Sequence, residues 1–186
     1  MRSCLDERTA AQIAARFITK QSGVDTRNYT KLMKLMYLVE RESLSRWNKT
    51  LTGDLLSWMD MGPVLSGVLD RIRHAPFPKA LSSWTEWFET DGYELRLVGD
   101  PGTDLLAKPV LDLIDGLHER FKDYSYGQLV NHLHRILPEN PHPEEGSSLP
   151  IDYEAILEAV GKGDASKRIA RTINTTNFLK SKISGH

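Results

Sequence analysis

The sequence holds a single cysteine, Cys4, and no second thiol to pair with it. A lone thiol makes neither an internal disulfide nor a cysteine-based zinc site, and the expected compartment is a reducing cytoplasm. No run approaches the roughly 20 apolar residues that a membrane helix needs. The start of the chain already carries Arg2, Asp6, Glu7 and Arg8, with no apolar core of a secretory signal. The chain therefore reads as mature and soluble, with no membrane partner. An excess of charge is missing too: 24 basic and 25 acidic residues leave a formal net charge of −1. No overall electrostatic pull on nucleic acid follows from that balance.

Catalytic signatures are equally scarce. There is no GxSxG elbow, no phosphate-binding GxxxxGK loop and no GxGxxG turn. Gly62-Pro63-Val64-Leu65-Ser66-Gly67 has two glycines, but its proline removes an amide that a phosphate cradle needs. Glu40, Glu42, Asp54 and Asp60 offer carboxylates, and nothing in their spacing selects an acid–base pair. Among the histidines, His132 and His134 are two apart on a helical segment and project about 200° apart. His118 stands alone, and His142 lies between Pro141 and Pro143 with no HExxH nearby. These absences predict a protein that is not an enzyme and holds no cofactor and no metal.

What is present is a soluble globular composition: 186 residues, 40% hydrophobic and 26% charged, enough for one compact domain. Ala10, Ile13, Ala14, Phe17 and Ile18 recur at helical spacing, which predicts a helix over residues 8–22, capped by Thr9 or Asp6 and ended at Gly23. Thr30 precedes a second helix in which Leu32, Leu35, Met36 and Val39 form one stripe, widened by Met33, Tyr37, Leu38 and Leu44. Lys34, Arg41 and Ser45 mark its narrow wet face, and so apolar a helix belongs at the centre of the core. Leu55 to Met59 reads as a short extended run. Gly62-Pro63 then starts a short helix carrying Val64, Val68, Leu69 and Ile72.

Two aromatic-rich runs, residues 84–90 and 93–98, flank Asp91-Gly92, a two-residue loop of the kind that closes a β-hairpin. That loop pairs Phe88 with Leu95 and Trp87 with Arg96. It places Trp84, Phe88, Tyr93, Leu95 and Leu97 on the packed face, and sets Arg96 beside the Trp87 ring on the outer face. Glu89 opposes Glu94 in the same register. Beyond Pro101-Gly102, Pro109 opens a helix carrying Val110, Leu113, Ile114, Leu117 and Phe121. Ser125 and Gln128 form a capping box for the next helix, with Leu129, Val130, Leu133, Ile136 and Leu137. A proline-rich loop follows, and Ile151, Asp152 and Ile156 have the spacing of a staple and cap for another helix closed by Gly161 and Gly163.

The C-terminal part is electrically uneven. Six acids and no lysine or arginine lie between Glu139 and Glu158, whereas six bases and one acid follow from Lys162. Two readings stand: a solvated or mutually attracting pair of segments, and a basic tail that meets a partner or nucleic acid. The expected fold class is mainly α, a compact helical domain of six to seven helices with a small β-hairpin or short antiparallel sheet. Residues 1–161 form the domain, and 162–186 form a basic helical tail that docks or binds a partner.

One constellation is more specific. Lys31-Leu32-x-Lys34-Leu35-x-Tyr37-Leu38, with Glu40 and Leu44 on the same helix, leads to Leu51-Thr52-Gly53-Asp54, a tryptophan-bearing strand and Gly62-Pro63-Val64. This order resembles the Panacea domain, the SocA-like antitoxin domain. More loosely, the similarity continues through residues 106–124, the Ser125 turn and Leu129-Val130-Asn131-His132, so that it spans about residues 8–137. Met61 stands where that family more often has an aromatic, and Pro138 follows without the family's tryptophan.

The resemblance implies a bacterial, prophage or phage antitoxin that neutralises a cognate protein toxin, typically encoded beside it. Some family members deliver the toxin to a protease instead. The motif residues themselves read as core: Leu32, Leu35, Tyr37 and Leu38 pack inward, with the Tyr37 hydroxyl on a buried backbone group. Expected partner contacts are the aromatics Trp47, Trp58 and Trp87, with Gly62, Pro63 and Arg96, and on the tail Arg168, Arg171 and Phe178. The rival reading is a DNA-binding regulator acting through residues 162–186. A homodimer is a further arrangement the tail can serve.

Overall fold

The computed structural model describes residues 4–20, 23–25, 27–74, 82–141 and 143–183; His142 falls outside them. Asp6 starts the first helix, α1 (Glu7–Thr19), by accepting from the Thr9 amide at 3.0 Å and its hydroxyl at 2.8 Å. The helix stops at Thr19, short of the expected residue 22. Gly23 serves a different purpose from ending it. With φ at +111°, it passes so close to Lys122 that an added Cβ would meet that residue's carbonyl oxygen at 2.4 Å.

The central helix α2 (Tyr29–Trp47) is capped by Asn28 rather than Thr30, the Asn28 side chain accepting from the amides of Thr30 and Lys31. It packs against α1 and against four elements further along the chain, so nearly all its circumference is covered. The expected wet face is therefore absent where it was drawn deepest. Lys34 is only 1% exposed and donates to the Pro63 carbonyl at 3.1 Å. Arg41 is half-buried against Glu139, and Ser45 is half-buried as well. The Tyr37 hydroxyl donates to the Glu139 carboxylate at 2.8 Å, not to a backbone group.

After α2, strands β1 (Leu56–Met59) and β2 (Gly62–Leu65) form a tight hairpin with Trp58 opposite Pro63. Pro63 thus belongs to a strand, not to the first turn of a helix. It is tolerated there because β2 is the edge of its sheet. The next helix, α3 (Ser66–Arg73), has no cap from its own N-terminal neighbour. Asp54 does that work from a distance, accepting from the amides of Gly67 at 3.0 Å and Val68 at 2.9 Å. A side chain at Gly67 would meet Asp54 Oδ1 at 2.6 Å, so this position has to be glycine.

Trp84–Trp87 winds into a short helical turn, α4, before β3 (Phe88–Asp91) and β4 (Glu94–Leu97). The hairpin exists with Phe88 and Leu95 buried, but its loop is Gly92-Tyr93 and its register differs by two positions from the one expected. Phe88 pairs with Leu97, Glu89 with Arg96 and Asp91 with Glu94. The cause lies outside the hairpin. The Tyr29 amide donates to the Tyr93 carbonyl, the Leu95 amide donates to the Arg27 carbonyl, and Tyr29 and Tyr93 stack at 5.6 Å. That docking turns Tyr93 outward, 68% exposed, and gives Arg96 to Asp91 and Glu94 instead of the Trp87 ring. It also separates Glu89 from Glu94.

Pro109 sits in the first turn of α5 (Lys108–Phe121), and Ser125 and Gln128 make the expected capping box of α6 (Tyr126–Ile136). The loop after α6 holds a strand that the sequence reading lacked. β5 (Ser148–Pro150) lies along the other side of β1, giving the order β2-β1-β5. Ile151 and Ile156 are both buried around the start of α7 (Tyr153–Ala159), although Asp152 makes no side-chain capping bond. A 3-10 turn at Gly163–Ala165 leads to α8 (Ser166–Ile183), which packs on α7 through Ala170 and Ile173. The fold is mainly α, with eight α-helices and five short strands among the described residues.

Candidate partner-binding site

Six polar residues of the α2-to-α3 stretch, Lys31, Lys34, Glu40, Ser43, Thr52 and Asp54, are buried and tie the fold. Glu40 is buried and accepts from the Leu51 amide, the Thr52 amide and the Thr52 hydroxyl at 2.6 to 3.0 Å. Burial pushes its carboxyl up from the usual range, and those three donors hold it back. Asp54 caps α3. Tyr37 and Arg41 converge on Glu139, with Arg41 Nε at 2.6 Å from its carboxylate. Burial first, and the Glu139 charge second, raise the Tyr37 phenol well above its ordinary value. Lys31 donates to the carbonyls of Val24 and Lys122, bracing the turn ahead of α2.

Lys34 also lines a roomy cavity. The hollow measures about 330 Å³ and lies between the start of α2, the tip of the β1–β2 hairpin, the end of α3 and the start of α6. Gly62, at φ +86°, brings β2 against Lys34 and His134. A Cβ there would lie 3.3 Å from His134 Nε2 and 3.5 Å from Lys34 Cε. Loss of water first, and the positive charge of Arg73 on the cavity wall second, together lower the Lys34 ammonium to about 7. Met33, Met59 and Val64 supply apolar wall. At the mouth stand Met61, Tyr93 and Tyr126, three of the large hydrophobic side chains that the surface leaves exposed. Asp60 is also at the wall, its carboxylate accepting from the Gly146 amide at 2.8 Å.

A second hollow of about 450 Å³ near Tyr124, His132 and Arg135 is more open and encloses no buried charge. His132 there lies against the rings of Phe121 and Tyr124, while His134 lies edge-on to Trp58 at 5.3 Å. The two imidazoles diverge, as their spacing requires. Among the described residues no group of three or more histidine, cysteine and acidic side chains is arranged to hold a metal ion.

The expected contact residues fall in different places. Trp58, taken from the sequence as an exposed anchor, is fully enclosed, its ring covered on one side by His134 of α6. Gly62 and Pro63 are buried beside it, Gly62 close against Lys34 and His134. Trp47 and Trp87 are half-buried against the core at the end of α2 and on α4. Arg96 is exposed on β4. Arg168, Arg171 and Phe178 are exposed on α8, Phe178 by 60%. The structure brings Trp58, Gly62 and Pro63 together and leaves the rest apart from them, on α2, α4, β4 and α8.

Lys34, Arg73, Tyr93 and Tyr126 were missed as a group, since no spacing joins four elements. One signal was readable: a lysine within a helix that is apolar on almost every side has little water to reach.

A family model described as antitoxin SocA-like, Panacea domain, matches residues 32–136. No curated protein and no solved structure matches the chain. The matched span runs from the first turn of α2 to the last residue of α6, and so contains the Lys34, Glu40 and Asp54 ties, both β-hairpins and most of the cavity wall. With more than half its length matched, the chain belongs to the SocA-like Panacea antitoxin domain family.

Proposed function

We propose that this protein is the antitoxin of a toxin–antitoxin pair and that it neutralises a cognate protein toxin in the cytoplasm by direct binding. The observation that carries the reading, beside the family, is the cavity ringed by Met61, Tyr93 and Tyr126. Large apolar side chains gathered at the mouth of one hollow are the usual anchors of a protein interface. Inhibition then follows from burial of the toxin's surface and needs no catalytic group in this chain.

Coexpression with the adjacent gene tests the proposal. Growth should be rescued, and the combined change Met61→Ser with Tyr126→Ser should remove rescue while the protein remains folded. A neighbour that is harmless alone, or stays toxic beside the intact protein, rules the reading out. Toxin abundance on a blot separates sequestration from delivery to a protease. Abundance stays level in the first and falls in the second.

A second reading draws on α8, where Lys167, Arg168, Arg171, Lys180 and Lys182 are exposed. Autoregulation through DNA would use this basic face. Neutralising about five phosphates gives a log-affinity slope of roughly −4.5 against log salt. Promoter binding with that slope, lost on removal of residues 162–186, would establish it.

A further inference from the structure

The cavity has a chemical preference as well as a shape. Two cationic side chains, Lys34 and Arg73, line it, and among the described residues no carboxylate pairs with either. Lys34 is held by one carbonyl, that of Pro63. An ammonium has three donors, so it retains capacity for an incoming acceptor. The first turn of α2, a helix of 19 residues, forms another part of the wall and adds the positive end of its dipole. The one acid there, Asp60, is turned to the Gly146 amide. Around this positive interior the walls are mostly methionine, valine, leucine and tyrosine, with Asn28 and Thr30 at the start of α2.

We propose that the cavity receives a carboxylate carried on an apolar stem, presented by the partner protein as an acidic residue next to hydrophobic ones. Lys34 and Arg73 supply the counter-charge, and Met61, Tyr93 and Tyr126 hold the flanking apolar side chains. This assignment rests on the reading of the same face as the toxin's docking surface. Charge complementarity selects the occupant, because a basic or neutral insert would leave two cations facing each other without compensation. The size agrees, since about 330 Å³ accommodates one or two side chains and not a folded element.

The experiment has two arms on the full chain. In the first, the protein is titrated with phenylpropionate and, separately, with phenylpropylamine, while the methyl signals of Met33 and Met59 are followed by NMR. The carboxylate should shift them and the amine should not. Lys34→Met, which keeps the volume, should weaken the carboxylate at least about tenfold, and Arg73→Gln about threefold. Arg73 is exposed, so its variant keeps the fold, which a thermal melt checks. In the second arm, both variants are coexpressed with the toxin gene, and rescue should fall in the same order.

Equal binding of the two probes, or undiminished carboxylate binding by the variants, overturns the anion site. Loss of carboxylate binding with intact rescue assigns the cavity to a free small acid and overturns the partner's role. Carboxylate binding by a protein that never rescues removes the antitoxin reading, and with it the partner assignment, while the anion site itself stands.

Discussion

The α2-to-α3 region and α8 are both helical and rich in charge, yet they treat charge in opposite ways. In the first, Lys31, Lys34, Glu40 and Asp54 are buried and bonded to backbone groups far along the chain. Among the described side chains of α8 the buried ones are Ser166, Ala170 and Ile173, a single narrow stripe, and the bases face outward with Phe178 and Leu179. The comparison teaches why the family signature identifies the protein without naming its partner. Signature polar groups are consumed in holding hairpin and helices together, and Lys34 also opens on the cavity ringed by Met61, Tyr93 and Tyr126. The surface of α8 carries no such obligation and is free to suit a particular partner.

The sharpest way to break the first region is to remove the distant cap of α3. Asp54→Ala leaves two buried amides without an acceptor and should cost about 3–4 kcal/mol in urea unfolding. Gly67→Ala should be comparably harmful alone, through its clash with Asp54, but should add little in the Asp54→Ala background. That non-additivity is the signature of the contact. Simple addition of the two losses would mean that Asp54 and Gly67 act separately.

Truncation after Gly161 tests the second region. The remaining domain should still melt cooperatively, less stable by about 2–3 kcal/mol because the stripe of Ala170 and Ile173 is lost from α7. Rescue should weaken as well. An insoluble product would place α8 within the core, and full rescue would make it dispensable.

Lys34 sharpens the contrast through pH. Burial holds the folded-state value of this base at about 7, below that of the unfolded chain at about 10.4. Between these values the unfolded state binds the extra proton, so stability rises with pH; below about 7 the full penalty of burying the charge is present. From about pH 7 to pH 9 the native protein should gain about 2 kcal/mol relative to Lys34→Met, measured by denaturant titration. A parallel pH dependence of the two proteins would show that Lys34 is charged and solvated in solution.

The smallest expected effect belongs to the β3–β4 loop. Gly92 has φ +58° and nothing within 4 Å of an added Cβ. Gly92→Val should therefore cost about 1–2 kcal/mol from backbone strain alone. A thermal melt of the variant that matches the parent would show that the loop relaxes away from this conformation.

Several features of the fold were legible because they depend on neighbours within one or two turns. The Ser125–Gln128 capping box, the Pro109 start, the Ile151–Ile156 staple and the burial of Phe88 and Leu95 all follow from spacing. Other features depend on groups that meet only after folding. The hairpin register was misplaced because Tyr29 and Arg27, not the loop, select it. β5 was missed because three residues containing a proline carry no periodicity of their own, and the strand forms by pairing with β1.

By itself, then, the sequence determined the helical class, the order of the main helices, the family signature and the absence of recognisable catalytic motifs. All of these arise from local propensity, side-chain period and residue identity. Only the tertiary structure decided that Lys34 is buried beside Arg73, that Glu139 closes the Tyr37–Arg41 pair from 102 residues beyond Tyr37, and that Met61, Tyr93 and Tyr126 meet around one hollow. The physical reason is that a charge's partner and a cavity's wall are set by distance in space. In this chain the residues concerned come from α2, the two hairpins, α3, α6 and the loop after it, which no sequence period connects.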